Sequence, residues 1–158
     1  MGRDIKIDLK GLEDLKKRLQ KIEKEDATRF FEELSREIAA RLLAKVIKRT
    51  PVGKTDGGTL RRGWTGGGEK GTAAKSFASG LDVKKSGKSY TVVISNNVEY
   101  ASYVEYGHRI MGGIERKTDV GWAEGKFMLT LSEHEIKGQA PKIIERKIAE
   151  WLASLGGA

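Results

Sequence analysis

The stretch Gly53-Lys54-Thr55 contains the residue types that hold a nucleotide phosphate in a P-loop. A P-loop also needs a glycine five positions before the Gly-Lys pair, so that backbone N–H groups can surround the phosphates, and a helix directly afterwards. Position 48 is instead a lysine, and the residues that follow, Asp56-Gly57-Gly58-Thr59, do not begin a helix cleanly. The sequence therefore predicts no nucleotide site, and the stretch must be explained in another way.

The remaining candidates for chemistry are the two histidines and the paired carboxylates. His134 is flanked by two glutamates, but neighbouring residues lie on different faces of a helix and cannot ligate a metal jointly with it. His108 is the other histidine, and Glu99 with Glu105 could form an acid–base pair. Because 33% of the residues are charged, such pairs arise freely. No nucleophile has a recognisable base, so we expect no catalysis, no cofactor and no metal.

Composition restricts the possible environments and partners. The 158 residues contain 30 Lys and Arg against 22 Asp and Glu, a net charge of +8 that favours acidic partners or nucleic acid. The basic residues are spread among carboxylates, which a solvated surface also produces. There is no cysteine, hence neither a disulfide nor a thiolate metal site. The charged start and the lack of a long apolar run predict a soluble protein of the cytosol, without membrane contact.

The first third of the chain is predicted to be mainly helical. Residues 4–9 alternate apolar and charged side chains, which indicates a short strand. From Leu12 to Ile22 a narrow apolar stripe on a charged helix follows. Apolar residues at helical spacing then predict a long helix from about Ala27 to Arg49, which Pro51 ends because proline disfavours helix in the residue before it.

The middle of the chain is predicted to contain a glycine-rich arm, a hairpin and a short helix. The arm extends from Gly53 to about Ser76, around a strand-like core at Thr59–Thr65. Residues 81–97 alternate as a β-hairpin with a turn at Ser86-Gly87. A short helix at Val98–Gly107 follows, which glycine ends.

The last third is predicted to open with a second exposed glycine-rich loop at 107–125. Residues 127–136 are ambiguous between strand and helix, and an amphipathic helix begins at Pro141. The predicted fold class is α/β, of the α+β kind: a small, largely antiparallel sheet packed by a long N-terminal-half helix and a C-terminal helix. We expect a single domain over 1–158. Its mobile loops at about 50–76 and 107–125 contain the flexible-loop glycines Gly53, Gly57, Gly58, Gly112 and Gly113.

The aromatic residues divide into core and interface candidates. Trp151 lies on the apolar stripe of the last helix and is expected in the core. Trp64 and Trp122 lie in the glycine-rich segments near basic residues, so each either folds back on its own domain or anchors a partner. Tyr100, Tyr103 and Tyr106 share roughly one helix face, which favours an aromatic cluster at the core edge over a docking surface.

Taken in order, these segments resemble the minor tail or neck protein family of tailed bacteriophages, often described as gene-ten-like. The motifs are the long helix ending "KRTPVG", then "GGTLRRGWT", "VEYASYVEYGHR" and "GKFMLTLSEHEI" before the terminal helix. The resemblance covers nearly the whole chain. It departs from the family's shorter first loop through the inserted residues Gly53 to Gly58.

The resemblance implies a structural virion protein at the head-proximal end of the tail, where it completes the tail and joins it to the head. It implies ring-like self-assembly, with the head–tail connector and tail terminator or tail tube proteins as partners. It also implies presence in the host cytoplasm before assembly and non-specific contact with DNA in the channel. The residues expected at the assembly interface are Arg61, Arg62, Trp64, Tyr103, Tyr106, His108, Arg109 and Trp122.

Two alternatives stay open. The first is a basic nucleic-acid-binding module that uses the basic loops, for which binding would weaken steeply with salt. The second is a small hydrolase, against which the missing nucleophile and base argue.

Overall fold

The computed structural model describes residues 24–53, 57–65, 81–111 and 119–155. The predicted strand at 4–9 and the predicted helix at Leu12–Ile22 lie outside these ranges, as does most of the arm up to Ser76. The elements, in chain order, are α1 (Lys24–Arg49), α2 (Thr59–Arg62), β1 (Trp64–Thr65), β2 (Lys84–Ser86), β3 (Ser89–Thr91), β4 (Ser95–Asn96), α3 (Ala101–Tyr106), β5 (Gly107–Met111), β6 (Asp119–Glu124) and α4 (Met128–Leu155).

Helix α1 confirms the strongest prediction from the sequence. Its buried residues Ala39, Leu43 and Val46 recur at spacings of four and three on one face, whereas Leu34 lies on the side that faces Trp151 of α4. The helix ends before Pro51, and the N–H of Thr50 still donates to the Val46 carbonyl at 2.9 Å. This last bond brings Thr50 into the buried side of the helix end.

The segment after α1 differs from its prediction. Thr59–Thr65 was predicted as strand-like, but Thr59–Arg62 forms the single-turn helix α2, and only Trp64 and Thr65 extend as β1. A left-handed turn precedes it, with φ of 58° at Gly57 and 85° at Gly58. Glycine adopts this conformation readily, so the two glycines can reverse the chain and start α2 against the end of α1.

The predicted hairpin at 81–97 is present as the antiparallel pair β2 and β3. Ser86 pairs with Ser89, so the turn residues are Gly87 and Lys88, one position later than predicted. Strand β4 leaves this hairpin and pairs antiparallel with β1, with Trp64 opposite Asn96.

The segment at 107–125 was predicted to be a loop, and for residues 107–111 and 119–124 this prediction is wrong. The predicted short helix is present as α3. After it, residues on both sides of Gly112-Gly113 form the antiparallel strands β5 and β6. Their register places Gly107 opposite Glu124 and Arg109 opposite Trp122. Gly107 and Gly121 both lie in this strand pair, with φ of 86° and 138°.

The last helix begins earlier than predicted. Helix α4 includes the ambiguous residues 128–136 and continues through Pro141, which was expected to be its first residue. Proline has no N–H for the helical hydrogen bond to the Lys137 carbonyl. The helix continues nevertheless because both of its halves pack on α1: Ser132 contacts Arg49, and Trp151 contacts Phe30.

One hydrophobic core joins these elements. Its buried members are Ala39, Leu43, Val46, Leu60, Trp64, Leu81 and Met128. Half-buried residues of the β3–β4 segment and of α3, such as Val92, Ile94 and Val104, pack around them. The described residues thus have the predicted mixed fold, in which α1 and α4 pack against small antiparallel strand pairs.

Candidate assembly interface

Trp64 was a candidate interface anchor, and the structure places it in the core. Its side chain is only 5% exposed. The indole N–H donates a 2.7 Å hydrogen bond to Thr50 Oγ1, and the Thr50 hydroxyl donates to the Val46 carbonyl at 2.7 Å. Of the two outcomes predicted for Trp64, the structure has the fold back onto its own domain, because α2 returns this part of the chain over the end of α1.

Arg61 also has an internal role. Its Nε and Nη2 donate to the Thr50 carbonyl at 3.1 and 2.7 Å. The last carbonyls of a helix have no partner within the helix, and the C-terminal end carries a partial negative charge. Arg61 satisfies one of these groups with a cation. The side chain of Arg62 is exposed and donates to the Gly57 carbonyl at 2.5 Å, which steadies the turn before α2.

The predicted flexible-loop glycines also differ in their exposure to solvent. Gly58 is buried, and its carbonyl accepts a 3.1 Å hydrogen bond from the N–H of Arg62. Gly53 is exposed and lies in a segment without regular structure. Gly112 and Gly113 lie outside the described residues, so their predicted flexibility stays a prediction.

The other five interface candidates are exposed and come from three elements, α3, β5 and β6. Tyr103 and Tyr106 on α3 are 58% and 63% exposed, and Trp122 on β6 is 61% exposed. His108 and Arg109 on β5 are exposed as well. Tyr100, by contrast, is half-buried and packs on the core. The core-edge interpretation of the three tyrosines is thus correct for Tyr100, whereas the other two face solvent.

Strand register separates these candidates onto the two faces of the β5–β6 hairpin. Residues that lie opposite one another in an antiparallel pair share a face, and successive residues alternate. Arg109 and Trp122 therefore lie on one face, and His108 and Ile110 lie on the other. On the second face the ring of Tyr103 lies 5.7 Å from the ring of His108. One face of the hairpin therefore presents Arg109 and Trp122 to solvent, and the other presents His108 and Ile110.

Glycine allows the hairpin to leave α3 at a close contact. Gly107 has φ of 86°, and a Cβ there would lie 2.5 Å from the Ala123 carbonyl oxygen and 3.0 Å from Trp122 Nε1. The edge of the Trp122 indole therefore approaches the backbone of Gly107. The chain returns to the fold through two hydrogen bonds, from the N–H of Lys126 to the Val104 carbonyl at 2.8 Å and from the N–H of Phe127 to the Glu105 carbonyl at 3.0 Å.

Glu105, which the sequence suggested only as a member of a carboxylate pair, joins α3 to α4 next to this site. Its buried carboxylate accepts hydrogen bonds from the N–H groups of Leu129 and Thr130 at 3.0 and 2.9 Å, and from the Thr130 hydroxyl at 2.8 Å. It thereby caps the N-terminus of α4 from α3. The sequence contained one signal for this cap: Phe127, the residue directly before α4, cannot cap the helix with its own side chain.

Ion pairs join α4 to α1 at the same end of the fold. Glu135 accepts hydrogen bonds from Arg49, and its Oε2 lies 2.7 Å from the Lys45 ammonium. Hydrogen bonds from Arg49, and then from Lys45, lower the pKa of Glu135 from 4.5 to about 2. The carboxylate thus remains ionised far into the acidic range.

The described ranges contain no group of three or more His, Cys, Asp or Glu residues that could hold a metal ion. His134 is exposed, and its neighbour Glu133 pairs with Lys137 at 2.7 Å. Within the same ranges, no helix is long and apolar enough to cross a membrane.

The amino-acid sequence up to the end of α3 has a counterpart among phage proteins. Residues 13–107 match the family described as bacteriophage HK97-gp10, tail-component. This chain belongs to the HK97-gp10-like family. The match confirms the resemblance for the motifs up to Gly107, whereas the motif at 125–136 lies outside it. It identifies a structural component of a phage tail, and thus of the virion.

The matched region of this HK97-gp10-like protein ends at Gly107, the first residue of β5. The exposed hairpin and α4 therefore follow the matched region. Comparison with curated proteins and with solved structures gave no match.

Proposed function

We propose that this tail component acts at the head-proximal end of the tail, in the neck, where it completes the tail and joins it to the head. It assembles there as a ring of identical copies, between the head–tail connector and the tail terminator or tail tube proteins. Before assembly it is present in the host cytoplasm. It acts through binding surfaces and not through an active site.

The observation that carries this proposal is the exposed aromatic and basic surface of α3 and the β5–β6 hairpin. Interface hot spots are enriched in Trp, Tyr and Arg. This surface combines Arg109 and Trp122 of the hairpin with Tyr103 and Tyr106 of α3, each exposed on the described fold. An isolated two-stranded hairpin is marginally stable in water, so a partner that covers its faces would stabilise it.

The burial of Trp64 and the internal bonds of Arg61 restrict the proposed interface to the hairpin and α3. Arg62 remains exposed beside the turn at Gly57, but it supports that turn. The proposed contact residues are accordingly Tyr103, Tyr106, His108, Arg109 and Trp122.

Nucleic-acid binding remains the second candidate because the net charge is +8. Many basic side chains of α1 and α4 are already paired with carboxylates within the fold, for example Arg41 with Glu37 and Lys147 with Glu37. Such pairing leaves fewer unpaired cations on α1 and α4 to contact a phosphate backbone. The hairpin surface is therefore assigned to protein contacts.

The test compares the double variant Tyr106→Ala/Trp122→Ala with Val93→Ala. Val93 is the matched control. It is 60% exposed, and it lies between β3 and β4 rather than on α3, β5 or β6. Light scattering gives the mass of each protein across concentration, electron microscopy shows any rings, and complementation of a phage lacking the protein measures head–tail joining. We expect loss of rings and of joined particles only in the double variant.

Two results would contradict the proposal. Normal head–tail joining by the double variant would show that this surface is not the interface. A small species that gains mass only with DNA, in a manner that weakens steeply with salt, would instead support the nucleic-acid module.

A further inference from the structure

The two faces of the β2–β3 hairpin differ in chemistry. Residues that lie opposite one another in an antiparallel pair share a face, and successive residues alternate between faces. Lys85 and Tyr90 lie opposite each other and form one face. The second face carries one ammonium group and three hydroxyl groups, from Lys84, Ser86, Ser89 and Thr91. This second face is the outer face of the β2–β3 hairpin.

The first face lies against α1 and leaves the outer face to solvent. The Lys85 ammonium donates to Thr28 Oγ1 at 2.7 Å, and the rings of Tyr90 and Phe31 stack with centroids 5.9 Å apart. All four residues of the outer face are exposed, and so is Lys88 in the turn. The outer face is therefore open to a partner.

The cations of the outer face and of the turn have no counter-charge on their own chain. Among the described residues, neither Lys84 nor Lys88 forms an ion pair, in contrast to Lys137 of α4, which pairs with Glu133. The sequence from 83 to 98 contains three lysines and no acidic residue. This part of the surface thus carries positive charge that the fold does not neutralise.

This set of groups matches the phosphate backbone of a duplex nucleic acid. Phosphate oxygens accept hydrogen bonds from lysine, from serine and threonine hydroxyls and from backbone N–H groups. The core of an interface with another protein is instead enriched in Trp, Tyr and Arg and depleted of Lys and Ser. Recognition of single strands uses aromatic side chains that stack on the bases, and the outer face has no aromatic residue. It also has no large apolar side chain that could enter a lipid surface.

We propose that the outer face of the β2–β3 hairpin, together with Lys88, contacts the phosphate backbone of double-stranded DNA without reading its sequence. The ammonium groups of Lys84 and Lys88 neutralise phosphates, and the hydroxyls of Ser86 and Ser89 donate to phosphate oxygens. The net charge of +8 adds attraction to a polyanion at longer range. This site goes beyond the proposed function, because it uses other elements than α3, β5 and β6 and does not require a ring.

The test measures binding of a short fluorescent DNA duplex to the full-length protein by anisotropy, across a series of NaCl concentrations. Lys84→Ala/Lys88→Ala removes the two cations. The matched control, Lys48→Ala/Lys142→Ala, removes the same charge from exposed positions on α1 and α4. Each lost phosphate contact makes the slope of log affinity against log salt concentration shallower by about 0.9. We therefore expect a slope shallower by about 2 in the first variant and an unchanged slope in the control.

A second variant separates phosphate contact from general attraction to positive charge. Ser86→Ala/Ser89→Ala removes two hydroxyl groups and no charge, so it should weaken binding several-fold while the salt dependence stays the same. Circular dichroism of each variant establishes that its fold is intact. The series is repeated in the Tyr106→Ala/Trp122→Ala protein, so that the DNA contact is measured whether or not copies assemble.

Equal slopes for the two lysine variants would overturn the proposal, because binding would then depend on net charge alone. Unchanged affinity of the serine variant would contradict the hydroxyl contacts. Tighter binding of single-stranded DNA, or equal displacement of the duplex by polyglutamate, would also overturn it. Rings that do not bind DNA at low salt would refute this inference and leave the proposed function in place, whereas DNA binding without any self-assembly would do the reverse.

Discussion

The indole N–H of Trp64 donates to the hydroxyl of Thr50, fourteen positions earlier in the chain, and both side chains are buried. This bond fastens β1 to the end of α1. The "GKT" stretch lies between these two elements, so it is part of the connection that links them. Gly57 and Gly58, in the same connection, form the left-handed turn before α2.

Trp64→Phe should lower the free energy of unfolding by about 1–3 kcal/mol. Phenylalanine has no N–H, so the buried Thr50 Oγ1 would lose the hydrogen bond that it accepts from the indole. Urea denaturation measures this change. Trp122→Phe is the matched control, since the indole of Trp122 is exposed, and it should stay within about 0.5 kcal/mol of the parent. Equal effects of the two changes would contradict the burial of Trp64.

Glu105→Gln should destabilise α4 and its connection to the hairpin by about 1–2 kcal/mol, because the neutral amide loses the charge interaction with the helix N-terminus and one accepting oxygen. Hydrogen exchange should become faster at the N–H groups of Leu129 and Thr130, because both donate hydrogen bonds to the Glu105 carboxylate in the parent protein. Glu124→Gln, at an exposed position on β6, serves as the control. Unchanged exchange at Leu129 and Thr130 in the Glu105 variant would rule out the cap.

Glu135 should make stability depend on pH in the acidic range. Its pKa is lower in the folded protein, about 2, than its ordinary value of 4.5. The stabilisation is therefore complete above about pH 4.5 and is lost as the pH falls from there towards 2. Glu135→Gln should flatten this part of the stability curve, measured by thermal unfolding across pH. Glu133→Gln, an exposed change on the same helix, should leave the slope as it is, and an equal loss of slope in both variants would count against the pairing with Arg49 and Lys45.

Gly107→Ala should disrupt the start of the hairpin. The added Cβ would lie 2.5 Å from the Ala123 carbonyl oxygen and 2.9 Å from the Gly125 N, and the φ of 86° is unfavourable for alanine. Gly138→Ala is a control of opposite sign, because nothing lies within 4 Å of a Cβ there. Inside α4 it should stabilise by about 0.5–1 kcal/mol. Melting temperatures that rise for Gly138→Ala and fall for Gly107→Ala would agree with the structure, whereas tolerance of alanine at 107 would contradict the close contact.

The amino-acid sequence by itself determined the features that depend on neighbours along the chain. Helix α1 follows from its apolar spacing and from Pro51, and the β2–β3 pair follows from alternation around Gly87. The order of the motifs along the chain also indicated the phage tail family, and the family match covers those up to Gly107. A family is recognised from the order of residues and does not require their contacts.

Tertiary structure decided which aromatic and basic residues can reach a partner. Trp64 and Trp122 have similar glycine-rich, basic surroundings in the sequence, yet Trp64 is buried by α2 and Trp122 projects from a hairpin. Local composition could not separate them, because burial depends on which distant surface a segment packs against. The same holds for Glu105, whose partners lie 24 and 25 residues away, and for Pro141, which the packing on α1 keeps inside a helix. Long-range packing free energy outweighs local propensity at each of these positions.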